Sequence, residues 1–250
     1  MRADVYTVVA IVIAPFIGSF LAVVSLRLPA QRAILWTRSA CDACGHPLGP
    51  IDLVPLASFA ALRGTCRYCG AAVDPAHPAM EFAALAIAVW AALVTSGWIL
   101  LASCLFGWAL LTLAAIDLRT GLLPDMLTLP LLGAGLVVAY AIERASLDAH
   151  ILGAFFGFVA FALLAMAYRG LRGREGLGLG DAKLLAAAGA WLGWIGLPTV
   201  ILLGAAIGLA FVLARRLAGK EIDATTRIAF GPALAVAAWI VWLYGPLVPA

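Results

Sequence analysis

Long apolar runs divide the chain, and that pattern decides most of what it can fold into. A run of about 20 apolar residues is what an α-helix needs to cross a bilayer. Eight such runs are read here: 5–26, 80–96, 98–116, 126–142, 151–168, 182–194, 196–214 and 231–247. The sixth is short, as a tilted or partly re-entrant segment would be. Of the 250 residues, 65% are hydrophobic and only 12% charged, against about 25% charged in a soluble domain. The expectation is an all-α polytopic membrane protein with about eight transmembrane helices. The first run could be taken for a signal peptide, but it is too long and Arg27 follows it directly. The net charge of +3 gives no reason to expect a nucleic-acid partner.

Eight spans put both termini on one side and sort the loops into two sets. The loops 27–79, 117–125, 169–183 and 215–230 hold all 16 basic residues except Arg2 and Arg144. The positive-inside rule then places these loops in the cytoplasm and both termini on the outer side. Pairs of small residues four apart, Gly153/Gly157, Gly189/Gly193 and Gly204/Gly208, are read as close helix contacts in lipid.

The first cytoplasmic loop is the one large polar segment. It carries Cys41-Asp-Ala-Cys44-Gly and Cys66-Arg-Tyr-Cys69-Gly. Paired C-x-x-C knuckles at this spacing match a tetrahedral four-thiolate zinc site. Cytosolic thiols stay reduced, which disfavours disulfides. A closed four-sulfur site has no open position, so its expected role is to fold the loop. His46 and His77 are read as loop residues, and Cys104, in mid-span, as a packed apolar side chain. The expected organisation is a first helix (1–26), a four-cysteine loop (27–79) and a seven-helix core (80–250).

Two aspartates sit at the edges of apolar runs, both on the cytoplasmic side. Asp117 ends the run 107–116 and opens Asp117-Leu-Arg-Thr-Gly-Leu-Leu-Pro124-Asp125. Pro124 is expected to stop the helix before residues 117–123 and to start the next one. Asp181 closes Gly176-Leu-Gly178-Leu-Gly180-Asp181 and opens the run 182–194. Gly178 and Gly180 allow a flexible or positive-φ backbone and a close approach to a substrate chain. A carboxylate near hydrocarbon is costly and is a functional candidate by default. The helix dipole favours negative charge at Asp181 and opposes it at Asp117. That is the pattern expected when one carboxylate works as base and the other as acid. Asp125, just after Pro124, is read as a capping residue.

The long run Gly178-Leu-Gly180-Asp181-Ala-Lys183-Leu-Leu, continuing to Gly193, resembles the signature of bacterial type IV prepilin peptidases, GxGD-type aspartyl proteases of the membrane. Asp117 with Pro124-Asp125 is similar to the family's first aspartate motif. Gly18-Ser-Phe-Leu, Arg27-Leu-Pro29, the stretch from Asp52 through Pro78-Ala-Met-Glu81, and Phe230-Gly-Pro232 resemble other family segments, in order along the chain.

The resemblance implies removal of the short basic leader from type IV prepilins and pseudopilins, at the cytoplasmic face of the bacterial inner membrane. It implies Asp117 and Asp181 as catalytic aspartates and Cys41, Cys44, Cys66 and Cys69 as metal ligands. Gly178, Gly180 and Lys183 become substrate-positioning candidates, and Glu81 a candidate for substrate or methyl donor. Many family members also methylate the new amino terminus with S-adenosylmethionine. Where many of them have Asn after Gly-Ser-Phe-Leu, this chain has Ala22, and that departure puts methyl transfer in question. Three alternatives stand beside this reading. A proton-coupled transporter would place its carboxylates near the midplane. A non-catalytic assembly subunit would not need them. A GxGD protease could also act on other membrane peptides.

Overall fold

The computed structural model describes residues 4–34, 38–172, 178–219 and 229–247. Arg2, Arg174, Gly176, Lys220 and Arg227, used above for topology and motif, lie outside the described residues. The chain is helical, with two isolated β-bridges, Ala40 with Pro47 and Thr65 with Ala72, as the extended pairing among the described residues. The helices are α1 (Val5–Arg27), the short α2 (Ala57–Ala61), α3 (Ala76–Val94), α4 (Gly97–Thr120), α5 (Asp125–Ile142), α6 (Leu147–Arg172), α7 (Leu179–Leu217) and α8 (Gly231–Tyr244). Two compact units divide the chain, Met1–Thr112 and Leu113–Ala250.

Six of the described helices are long and apolar enough to cross a membrane, and α8 is a shorter apolar helix. The expected spans 182–194 and 196–214 make up the 39-residue α7, two helices joined across a kink, and the count of eight is not confirmed. A straight helix of that length would run about 58 Å, nearly twice a hydrocarbon core of about 30 Å. Gly193 interrupts it, with φ 70° and ψ 171°, a conformation that a side chain would oppose.

In the first unit, α1 and α3 meet along small residues. Ala10, Ala14 and Ala22 of α1 and Ala84, Ala88 and Ala91 of α3 are fully buried. A Cβ on Gly18 would sit 2.6 Å from the Glu81 Cα. The four-residue spacing of Ala10, Ala14, Gly18 and Ala22 makes one smooth helix face, which lets the backbones approach where lipid supplies no hydrophobic drive. Ala22 thus has a packing reason of its own.

In the second unit, α6 and α7 meet through the glycines noted above. A Cβ on Gly153 would collide with the Gly189 carbonyl, and one on Gly189 with that of Gly153. Gly157 lies 2.6 Å from the Leu185 carbonyl on the same measure. Trp191, 2% exposed, donates its indole N–H to the Leu131 carbonyl at 2.8 Å and fills the space left by Gly135 of α5. Gly204 faces Leu234 of α8. The first half of α7 is almost entirely buried, and Asp181 lies at its start.

Candidate active site

The second unit brings three chain segments to Asp117. The first is α4, which continues one turn past the expected stop. Pro124 does not end it; Gly121 does, at φ 65°, with its N–H donating to the Asp117 carbonyl at 2.8 Å. A glycine in the left-handed region is the usual way to close a helix and satisfy its last carbonyls. Asp117 therefore sits in the last turn of α4, with 6% of its surface exposed.

The second segment is the N-terminus of α8. The Gly231 N–H donates to Asp117 Oδ2 at 3.1 Å. A Cβ on Gly231 would fall 2.6 Å from that oxygen, so only glycine lets the backbone come this close. Pro232, in the first turn, has no N–H to leave unpaired there. Phe230 anchors the turn against Phe161, with ring centroids 6.2 Å apart. Gly231 was legible only as part of a family motif. Its contact with Asp117 joins residues 114 positions apart, and no local pattern announces it.

The third segment is the start of α7. Gly178 is the N-cap, with extended backbone (φ −75°, ψ 143°), and Asp181 is the third helical residue. The Asp181 N–H donates to the Gly178 carbonyl at 3.1 Å. Neither Gly178 nor Gly180 takes a positive φ. Gly180 is used for contact instead: a Cβ there would lie 3.0 Å from Leu123 Cβ. Leu123 also reaches within 3.4 Å of the same position on Gly231. One leucine from the 121–124 loop thus packs against the glycines that flank both aspartates. Asp181 is buried, with 9% of its surface exposed.

Asp125 is the first residue of α5 and Pro124 stands at the N-cap, so Asp125 is not the capping residue expected. It pairs with Lys183 Nζ at 2.6 and 2.8 Å. The cation expected to meet substrate is engaged by this carboxylate.

In the first unit the two cysteine knuckles are built alike. Each places a glycine at positive φ, Gly45 (70°) and Gly70 (72°). Each closes by an N–H from that glycine to the first cysteine's carbonyl, Cys41 or Cys66. Backbone N–H groups then point at the sulfurs. Those of Cys44 and Ala43 lower the Cys41 pKa to about 7, which puts thiolate within reach of neutral pH. Cys69 moves to about 12: Ala71 favours its thiolate, but desolvation and the other three thiols outweigh that. The four Sγ atoms lie within 4.8 Å of one another, and Cys41 and Cys69 are 3.8 Å apart. Tetrahedral zinc with bonds of about 2.3 Å needs sulfurs about 3.8 Å apart, so the residues fit such an ion. His46 is not in the cluster; it stacks on Tyr68 with centroids 3.7 Å apart. Asp52 ties the lobes together, accepting from Arg67 Nε (2.7 Å), the Tyr68 hydroxyl (3.1 Å) and the Gly49 N–H (3.1 Å). Above all the Arg67 bond holds its carboxyl below the usual value of 3.8.

Glu81, one turn into α3, is 6% exposed. Its Oε2 accepts the Leu56 N–H at 2.8 Å. Leu56 has φ 61°, which few residues other than glycine adopt, and the buried carboxylate holds it there.

Two family models match the chain: the bacterial peptidase A24 N-terminal domain over residues 12–95 and the type IV leader peptidase family over 104–213. Relatives called prepilin leader peptidase/N-methyltransferase align over most of their length. One from Aeromonas salmonicida is 39% identical, covering 92% of this chain and 87% of the relative. One from Burkholderia pseudomallei is 40% identical, covering 94% and 84%. One from Pseudomonas aeruginosa is 36% identical, covering 96% and 91%. No solved structure matches.

Proposed function

The chain belongs to the type IV leader peptidase family, and from that premise we propose that it removes the leader of prepilins and pseudopilins, with Asp117 and Asp181 as the catalytic pair. The observation that carries the assignment of the pair is their joint burial in one unit, Asp117 held by the Gly231 N–H at the start of α8 and Asp181 set in the first turn of α7. Two such groups meeting at a site can share the work of activating water. One aspartate, ionised, takes a proton from a water held between them. The other, protonated, polarises the scissile carbonyl. Water adds directly, without an acyl-enzyme.

A helical peptide bond is shielded, so the leader end of the pilin must be unwound where it meets the pair. Gly178 and Gly180 bare the backbone beside Asp181 for that extended stretch, and Lys183, held by Asp125, fixes the same turn. The split of basic residues supports an inner-membrane protein with periplasmic termini and with the pair and the cysteine loop in the cytoplasm. It also supports the division into a first helix, a cysteine loop and a seven-helix core. Cys41, Cys44, Cys66 and Cys69 would hold one zinc ion, which supplies a fold for the loop and no step of the cleavage. The relatives' names add N-methylation, with S-adenosylmethionine as donor. The transporter alternative finds no support in the family matches.

The test is mass spectrometry of a co-expressed prepilin with wild type, Asp117→Asn and Asp181→Asn. Leader loss with wild type, and full-length prepilin with both inserted variants, is the expected result. Equal cleavage by either variant removes that aspartate from the mechanism.

A further inference from the structure

The second unit has a cavity of about 310 Å³ where α7 breaks, at the far end of the limb that begins beside Asp181. That limb, from Leu179 to Gly193, rises about 21 Å, short of a hydrocarbon core of about 30 Å. Measured from the membrane face proposed for Asp181, it ends below the opposite face. A bilayer thins over such a short element, so headgroups come down to the break. The groups waiting there are polar. At Gly193 the backbone leaves helical geometry, and His150 Nδ1 of α6 donates to the Ala190 carbonyl at 3.0 Å. That bond fixes the tautomer of the neutral ring and leaves Nε2 as an acceptor. Glu143, the C-cap of α5, lines the same cavity. Among the described residues none bonds or pairs with its carboxylate. Trp191, Trp194 and Trp242 supply an aromatic wall.

We infer that this cavity takes the headgroup of an aminophospholipid, its primary ammonium against Glu143 and His150 and its phosphate at Arg144. The cavity offers one full negative charge and a neutral ring acceptor, with no lysine or arginine among its described lining residues. Tryptophan adds a surface that attracts cations. An ammonium can donate to the carboxylate and to the imidazole together, whereas an anion gains from neither. Arg144 follows Glu143 directly and is exposed, with Cζ held 5.3 Å from the centre of the Tyr140 ring. Two chain neighbours thus present one charge of each sign to a zwitterion. Ile142 and Trp194 line the cavity and are each 49% exposed, which carries its wall out to lipid and favours a ligand with acyl chains over a soluble amine. The volume suits a headgroup and lies at the small end for ligand sites. A bound headgroup joins the end of α5, the start of α6 and the break of α7. The inference rests on embedding in a bilayer and not on leader cleavage.

The test is native mass spectrometry of the full-length protein released from nanodiscs that hold equal amounts of phosphatidylethanolamine and phosphatidylglycerol, distinguished by chain length. Wild type is expected to keep one phosphatidylethanolamine per chain, preferred over phosphatidylglycerol on the order of tenfold. Glu143→Gln removes a charge from an exposed side chain and is expected to bring the ratio close to one. Glu143→Lys is expected to invert it. Size-exclusion recovery shows that each variant is folded. Glycerophosphoethanolamine, which has the headgroup without the chains, is expected to displace little of the bound lipid at equal concentration. A wild type that keeps the two lipids alike, or keeps neither, overturns the assignment. So does a preference that survives in both Glu143 variants, which would place the lipid elsewhere on the protein. Full displacement by glycerophosphoethanolamine would give the cavity to a soluble amine and overturn the lipid reading.

Discussion

Lys183 grips both oxygens of Asp125, at 2.6 and 2.8 Å, and so ties the start of α5 to the first turns of α7. Asp125 closes the segment that begins at Asp117, and Lys183 lies two residues past Asp181. The pair is partly exposed, 32% for Lys183 and 55% for Asp125, so its contribution to stability is at most about 1 kcal/mol. Its consequence is positional. Asp125→Ala and Lys183→Ala are each expected to lower kcat/KM for leader cleavage on the order of tenfold with little change in Tm. The exchanged pair Asp125→Lys with Lys183→Asp is expected to recover part of that loss. An exchange no better than the worse single variant would show that the ion pair does not hold the site.

Gly231 makes a sharper case. A methyl group there would lie 2.6 Å from Asp117 Oδ2 and 3.1 Å from its Cγ, closer than van der Waals contact allows. Gly231→Ala must push the Asp117 carboxylate aside or lose its hydrogen bond from the α8 N-terminus. A displacement of about 1 Å at a reacting group can cost on the order of a hundredfold in rate. The expected result is a fall of that size in kcat, with insertion and Tm close to wild type. Unchanged cleavage would mean that the Gly231 N–H is not needed to place Asp117.

What was legible in the sequence follows from how local each signal is. The cysteine cluster was readable because a C-x-x-C-Gly knuckle folds on itself, and two knuckles leave four thiols to meet. The helices were readable because about 20 apolar residues suffice to make one in lipid. The end of α4 was misplaced by four residues, because the stop is Gly121 and not Pro124. The break between the spans 182–194 and 196–214 was readable to within two residues, where Gly193 kinks α7 at φ 70°. The contacts of Gly231 with Asp117, Leu123 with Gly180 and Lys183 with Asp125 were not readable at all. Each joins residues more than fifty positions apart, and only the packing of the second unit makes them neighbours.

Packing of that unit depends on bare backbone between α6 and α7. Gly189 and Gly153 each stand where the other's carbonyl would meet a side chain. Gly189→Leu is expected to destabilise the protein by several kcal/mol, as overpacking of a rigid contact does at its upper end, and to reduce the yield of folded protein in detergent. Gly133 of α5 is the control. Nothing lies within 4 Å of its Cβ position, so Gly133→Ala is expected to be neutral or to stabilise by about 0.4–1 kcal/mol. Thermal unfolding followed by size-exclusion recovery separates the two. Similar losses from both substitutions would mean that glycine serves these helices by something other than contact.

The cysteine lobe has little else to hold it. Among its described residues before α3 the one regular element is the five-residue α2, and of the four cysteines Cys66 alone is buried. A segment of this kind gains its fold from the ion it binds, because the binding free energy is also folding free energy. One zinc per chain is expected by elemental analysis of the purified protein. Cys66→Ser is expected to reduce that ratio close to zero, since three thiolates and a hydroxyl make a far poorer soft-metal site. The same variant, or wild type stripped by a strong chelator, is expected to be cut by trypsin at Arg63 and Arg67, and restored zinc to protect wild type but not the variant. Protection that survives metal removal would show that the Asp52 bonds to Arg67, Tyr68 and Gly49 suffice to hold the loop, and would reduce the four thiols to bystanders.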